Sequence, residues 1–242
     1  MINFICGRSG SGKDTITNML LNKHPELVPV VGYTTRPMRP GEIDGKEYHF
    51  CKTEDLNWFR DTDNLVEERV YHTAEGDWYY FTVDNGFFDL SHNNYLVTGS
   101  LEMYDSYIEY FGEENIEMIY LEVPEKELLE RTIKRENTKA NPNYAEVCRR
   151  FYADSKDFSE DNLITHGIYK NNRILNVGDQ EKVLTQIEEK MGLIKNKEKS
   201  SLTDRKQRDV CEASKICAFW AEELNRTKEM TKEILEEMEI DR

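Results

Sequence analysis

Positive charge is in short supply in this sequence: 32 lysines and arginines stand against 47 aspartates and glutamates, a net charge of −15 over 242 residues. So acidic a chain opposes broad attraction to nucleic acid or to an anionic membrane, and any anion site has to be a local basic cluster. No apolar run approaches the roughly eighteen residues of a membrane-spanning helix. Met1 leads into an apolar strand without a basic leader, so the expectation is a soluble, unexported, cytoplasmic protein with neither nucleic acid nor membrane as partner. The five cysteines, Cys6, Cys51, Cys148, Cys211 and Cys217, are odd in number and form no C-x-x-C pair. That indicates neither a disulfide framework nor a zinc site, and they read as reduced packing residues. The five histidines suggest no metal site, and no internal repeat is visible.

The informative stretch begins at residue 7. Gly7-Arg8-Ser9-Gly10-Ser11-Gly12-Lys13-Asp14-Thr15 joins the apolar run 2–6 to a segment with Ile16, Met19 and Leu20 at helical spacing, closed by His24-Pro25. Strand, glycine-rich turn and helix form a phosphate cradle: the glycines admit an anion close to the backbone, and successive N–H groups point at it. Lys13 adds a charge for the β- and γ-phosphates. The strict pattern has Ser or Thr after the lysine, whereas this chain has Asp14. A carboxylate beside a triphosphate needs a cation between them, which makes Asp14 a candidate Mg²⁺ ligand, directly or through water. Thr15 could supply a hydroxyl instead, or the metal could be held almost wholly by substrate phosphates and water.

Strand candidates at 2–6, 27–31, 95–98, 116–122 and 173–177 alternate with helices expected near 14–22, 125–136, 144–159 and 179–191. This alternation is that of an α/β fold with a mostly parallel sheet flanked by helices. Residues 32–84 differ, with turns, aromatics and short alternating runs, and read as a small β-containing insertion. Beyond residue 192, Lys195-Asn196-Lys197-Glu198-Lys199-Ser200 reads as a solvated linker. Val210, Ala213, Cys217, Trp220, Leu224, Thr227, Thr231, Ile234 and Met238 then recur at helical spacing, giving a mainly apolar stripe on an amphipathic C-terminal extension expected to pack on the body or pair with a second copy as a homodimer.

Tyr33-Thr34-Thr35-Arg36-Pro37-Met38-Arg39-Pro40-Gly41-Glu42-Ile43-Asp44-Gly45-Lys46-Glu47-Tyr48-His49-Phe50 sets two arginines three apart, followed by a tyrosine, a set of donors able to surround a dianionic phosphate. Taken with the phosphate loop, this run resembles the guanylate kinase family over roughly residues 1–192. The resemblance implies a P-loop core (1–31, 85–124 and 160–192), an insertion that binds the nucleoside monophosphate (32–84) and a helical lid (125–159). Residues 193–242 stand outside it. It implies ATP-dependent, Mg²⁺-assisted phosphorylation of GMP or dGMP, a step of purine nucleotide metabolism.

Residue by residue, the resemblance places Arg36, Arg39, Tyr48 and Tyr80 on the acceptor phosphate, Glu67 on guanine, and Thr82 beside the base. Guanine offers N1–H and N2–H₂ donors that one ionised carboxylate can accept, and adenine lacks that pair. Gly7 to Thr15 and Asn176 fall at the ATP site. Arg131, Arg135 and Arg150 resemble the lid arginines that close over donor phosphates, with Arg149 beside them. Lys13, Arg36, Arg39 and the lid arginines thus make up the catalytic set.

Three positions depart from the family. Gly32 stands where a base-contacting serine is common, and Thr98 and Ser100 stand on the strand that commonly carries two aspartates. Asp14 could restore a carboxylate near the metal. The departures keep two alternatives in view: a monophosphate kinase with another base preference, and a catalytically inactive guanylate-kinase-like interaction module.

Overall fold

The computed structural model describes residues 1–73 and 76–194, and the linker, the C-terminal amphipathic segment, Cys211 and Cys217 lie outside the described residues. The chain runs β1 (Ile2–Cys6), α1 (Lys13–Lys23), β2 (Leu27–Pro29), β3 (Tyr33–Thr34), β4 (His49–Phe50), α2 (Thr53–Asp61), β5 (Leu65–Thr73), β6 (Gly76–Val83) and β7 (Asn94–Gly99). It continues through α3 (Leu101–Phe111), β8 (Ile116–Glu122), α4 (Glu125–Glu136), α5 (Tyr144–Asp157), α6 (Glu160–Thr165), β9 (Ile174–Leu175) and α7 (Gln180–Lys190).

Strands β2-β7-β1-β8-β9, in that spatial order, form a parallel five-stranded sheet. All five residues of β1 are buried, as a central strand covered on both faces requires. Alternation sends Phe4 and Ile5 to opposite faces. Phe4 meets Tyr104 and Tyr107 of α3, each at 5.4 Å between ring centroids. Ile5 joins Ile16 and Leu20 of α1 and Leu184 and Ile187 of α7. Because β1 is flanked by β7 on one side and β8 on the other, the loop after it opens at the point where the strand order reverses, where such sheets bind ligands.

A second sheet, β4-β3-β6-β5, is built from the segment read as an insertion. Its small core of Leu56, Phe81 and Val83 is extended by Tyr33, Phe59 and Tyr79. The parallel α/β architecture is the one expected, with corrections in detail. The strand expected over 27–31 closes at Pro29, and that over 173–177 pairs only at Ile174 and Leu175. Helices α2, α3 and α6 went unread. Ser100 is not on a strand: β7 ends at Gly99, and the Ser100 hydroxyl caps α3 by accepting from the Met103 amide. Cys6 is buried as a packing residue, whereas Cys148 is exposed.

Candidate active site

The turn after β1 reaches α1 through Gly12, whose φ of 88° is left-handed. A Cβ there would also come within 2.6 Å of the Asn176 side-chain nitrogen, so glycine is required twice over. Asn176, leaving β9, braces the loop: its Nδ2 donates to the Ser11 carbonyl at 2.7 Å, and its own carbonyl accepts from Arg131 Nη2 at 2.9 Å. Lys13 folds back so that Nζ donates to the carbonyls of Gly7 (2.5 Å) and Arg8 (3.0 Å). Burial pushes the Lys13 ammonium below its ordinary pKa, an effect that an arriving phosphate would reverse.

A cavity of about 400 Å³ opens over this loop, lined by Ser9, Gly10, Gly12, Lys13, Asp14, Thr15, Arg131, Arg135, Arg150, Asn176 and Gln180. The sequence-expected arginines of α4 and α5 therefore meet the phosphate loop in one space. Arg131 is paired with Glu127 at 2.6 Å, and Arg150 with Glu146 at 2.6 Å. Arg149 shares Glu146 and does not line the cavity. The hydrogen bonds from Arg149 and Arg150 hold the Glu146 carboxyl down at about 2. Arg8 points elsewhere, over the Phe151 ring at 4.7 Å and onto Glu125 at 3.0 Å. The Ser9 amide donates to the Asp154 carboxylate of α5.

A second cavity of about 480 Å³ lies between the two sheets, lined among others by Asp14, Gly32, Tyr48, Glu67, Arg69, Tyr80, Thr82 and Thr98. Glu67 is buried and accepts from the Thr82 hydroxyl (3.0 Å) and from Arg69 Nε (2.9 Å) and Nη2 (3.3 Å). Burial raises the Tyr48 pKa, so its hydroxyl stays protonated as a donor at neutral pH. Asp14 is exposed and belongs to both cavities.

Arg36 and Arg39, expected together on the acceptor phosphate, differ in their surroundings, although the Arg39 amide also donates to Glu42 at 2.7 Å. The Arg36 side chain is buried, with Glu42 gripping it through both carboxylate oxygens (2.8 and 3.0 Å), while Nε donates to the Tyr80 hydroxyl at 3.1 Å. Arg39 is exposed, and neither arginine lines the second cavity. Sequence reasoning also passed over Arg69, Glu42, Asp154 and Gln180. Arg69 offered a signal, two residues from Glu67 and therefore on the same face of a strand. Asp154 offered none, since its partner is 145 positions away.

No three His, Cys, Asp or Glu side chains gather into a metal cluster among the described residues, nor is any described helix long and apolar enough to cross a membrane. A magnesium ion that keeps waters and binds chiefly through substrate phosphates needs only one or two carboxylates, a demand that Asp14 fits.

Residues 3–98 match the family model for guanylate kinase. The guanylate kinase of Gloeobacter violaceus is 43% identical over 67 residues, covering 28% of this chain and 33% of that protein. That of Frankia casuarinae is 40% identical over 70 residues, covering 29% and 38%. The chain thus spans little more than a third of the length of the curated relatives it matches. The crystal structure of guanylate kinase from Anaplasma phagocytophilum superposes with a TM-score of 0.54 at 21% identity, covering 80% of this chain and 85% of that one, a likeness of fold. Residues 3–98 are therefore where the similarity to guanylate kinases lies.

Proposed function

We propose that this protein is a nucleoside monophosphate kinase that transfers the γ-phosphoryl group of ATP to GMP or dGMP. The observation that carries the proposal is the pairing of two cavities through one residue: Asp14 lines both the phosphate-loop cavity and the cavity of Glu67, Tyr48 and Tyr80. In this reading 32–84 receives the acceptor, 125–159 closes as the lid, and 193–242 is an appendage to the catalytic body.

Phosphoryl transfer asks for in-line placement and for cancellation of spreading negative charge. The loop amides, Lys13, Arg131, Arg135 and Arg150 hold and neutralise the donor phosphates. Tyr48 and Tyr80 hold the acceptor phosphate, with Arg36 supporting Tyr80 from its clamp on Glu42. Arg39, free at the surface, can swing onto the acceptor. The acceptor phosphate is largely ionised at neutral pH, so no general base is needed. Asp14 would hold a magnesium ion carried in with ATP, which would supply further charge neutralisation.

The test is a coupled assay with Mg-ATP against GMP, dGMP, AMP, CMP, UMP and dTMP, with Lys13→Ala as the blank. Transfer to GMP or dGMP above the others, abolished in the blank, supports the reading. Preference for another base keeps the mechanism and replaces the substrate, and no transfer by folded protein favours an interaction module.

A further inference from the structure

Glu67 does not wait empty for a base. With Thr82 and the two Arg69 donors on its oxygens, only about one of a carboxylate's four lone-pair sites remains. As it stands, Glu67 can accept one further N–H and not the two that guanine offers. Its partner has spare capacity of the opposite kind. Arg69 meets Glu67 side-on through Nε and Nη2, which leaves Nη1 without a hydrogen bond to the described residues. The Arg69 side chain keeps 23% of its surface exposed while that of Glu67 keeps 2%, and both line the second cavity. Burial opposes the Arg69 charge, but attraction and hydrogen bonding to Glu67 outweigh it, so the ion pair persists. Gly32, on the same cavity wall, has only the Phe81 carbonyl, 3.4 Å away, near where a Cβ would stand, so no side chain competes there for the base.

A donor and an acceptor fixed side by side match a base edge that carries a keto oxygen beside a ring N–H. Guanine has that edge in O6 and N1–H. Adenine and cytosine present an amino group beside a bare ring nitrogen, which would set donor against donor and lone pair against carboxylate. We propose that Arg69 is a specificity-determining residue of the acceptor pocket, its guanidinium donating to the keto oxygen of guanine while Glu67, held by it, accepts the adjacent ring N–H. The proposal rests on the reading of this cavity as the acceptor site.

The experiment measures kcat and KM of the full chain with GMP, IMP, AMP and UMP at saturating Mg-ATP. IMP keeps the keto oxygen and the ring N–H and lacks the 2-amino group, so a loss shared by GMP and IMP belongs to the keto contact. Arg69→Met would strand the buried Glu67 carboxylate and risk misfolding. Arg69→Lys keeps a cation beside Glu67 and removes the planar fork, and its melting temperature reports that it is folded. A bidentate base contact is worth about 1–3 kcal/mol, so R69K should raise KM for GMP and IMP together by about tenfold or more and narrow the GMP-to-AMP ratio equally. Folded R69K with the wild-type GMP-to-AMP and IMP-to-AMP ratios overturns the proposal and leaves Arg69 as the counter-ion of Glu67. Wild-type protein that favours UMP or AMP over GMP overturns the guanine contact, and folded wild-type protein that transfers to no monophosphate overturns the acceptor reading itself, both visible before any variant is made.

Discussion

The Asp154 carboxylate sits 2.5 Å from the Ser9 amide nitrogen, so an anion of the protein's own already holds a donor of the phosphate loop. The same stretch of α5 is pinned beside it, because Arg8 lies over Phe151 and donates to its carbonyl at 3.3 Å. An incoming phosphate must displace this carboxylate or contend with its charge. A charge-assisted hydrogen bond is worth about 1.5–3 kcal/mol, and Asp154→Asn should therefore lower the KM for ATP by about tenfold. Calorimetric titration with ATP checks this, and weaker binding by the variant would show that Asp154 positions α5 for the nucleotide.

Asp14 faces both cavities and stands at the start of α1, where the helix dipole favours its charge. Asp14→Ser should raise the free magnesium needed for half-maximal rate by about tenfold, the loss expected when one carboxylate leaves a sparsely ligated ion. A rate-against-magnesium curve identical to wild type would remove Asp14 from the metal.

Arg36 holds Glu42 with two parallel bonds and Tyr80 with a third, a fork that lysine cannot reproduce. Arg36→Lys should raise KM for the acceptor by about tenfold or more while KM for ATP stays within about twofold, since bonds to charged groups carry about 1.5–3 kcal/mol. Steady-state rates with each substrate varied in turn decide it, and an equal effect on both would point to general misfolding.

Glu188 of α7 is fully buried and ties that helix to α1, accepting from Lys23 at 3.0 Å and from His24 at 2.7 Å. Burial raises its pKa, and the hydrogen bonds from Lys23 and His24 more than reverse this, leaving it below the ordinary carboxylate value. A carboxylate depressed on folding contributes stability above its unfolded pKa of about 4.3 and loses it as pH falls through the folded value. Because Lys23 is half exposed and screened, Glu188→Gln should cost about 1–2 kcal/mol at pH 7 and flatten the loss of stability below about pH 4. Urea unfolding at pH 7 and pH 3.5 measures both, and equal destabilisation of the variant at the two values would sink the linkage.

Much of the core was legible because its signals are local. The run 2–6, the glycine-rich turn and the 125–136 helix follow from periodicity and from what glycine permits, and those elements stand where expected. Helix α3 escaped notice because Tyr104, Tyr107, Tyr110 and Phe111 favour strands by intrinsic preference. Burial of Tyr104 and Tyr107 against Phe4 supports the helix there. Helix α2 was masked in the same way by Trp58 and Phe59 within a segment that otherwise reads as strand and turn.

The sequence by itself determined that a phosphate loop follows an apolar strand and that arginines gather on two later helices. Only the tertiary structure decided the order β2-β7-β1-β8-β9, which brings Asn176 to Ser11 and Asp154 to Ser9 across 165 and 145 positions. It also decided that Arg36 is already clamped by Glu42 and that Glu67 comes with its own cation. The division is physical. Backbone preferences and side-chain period act within a few residues and are written along the chain, whereas the pairing of charges depends on which crossovers fold back over which strand, and that is settled when the core packs.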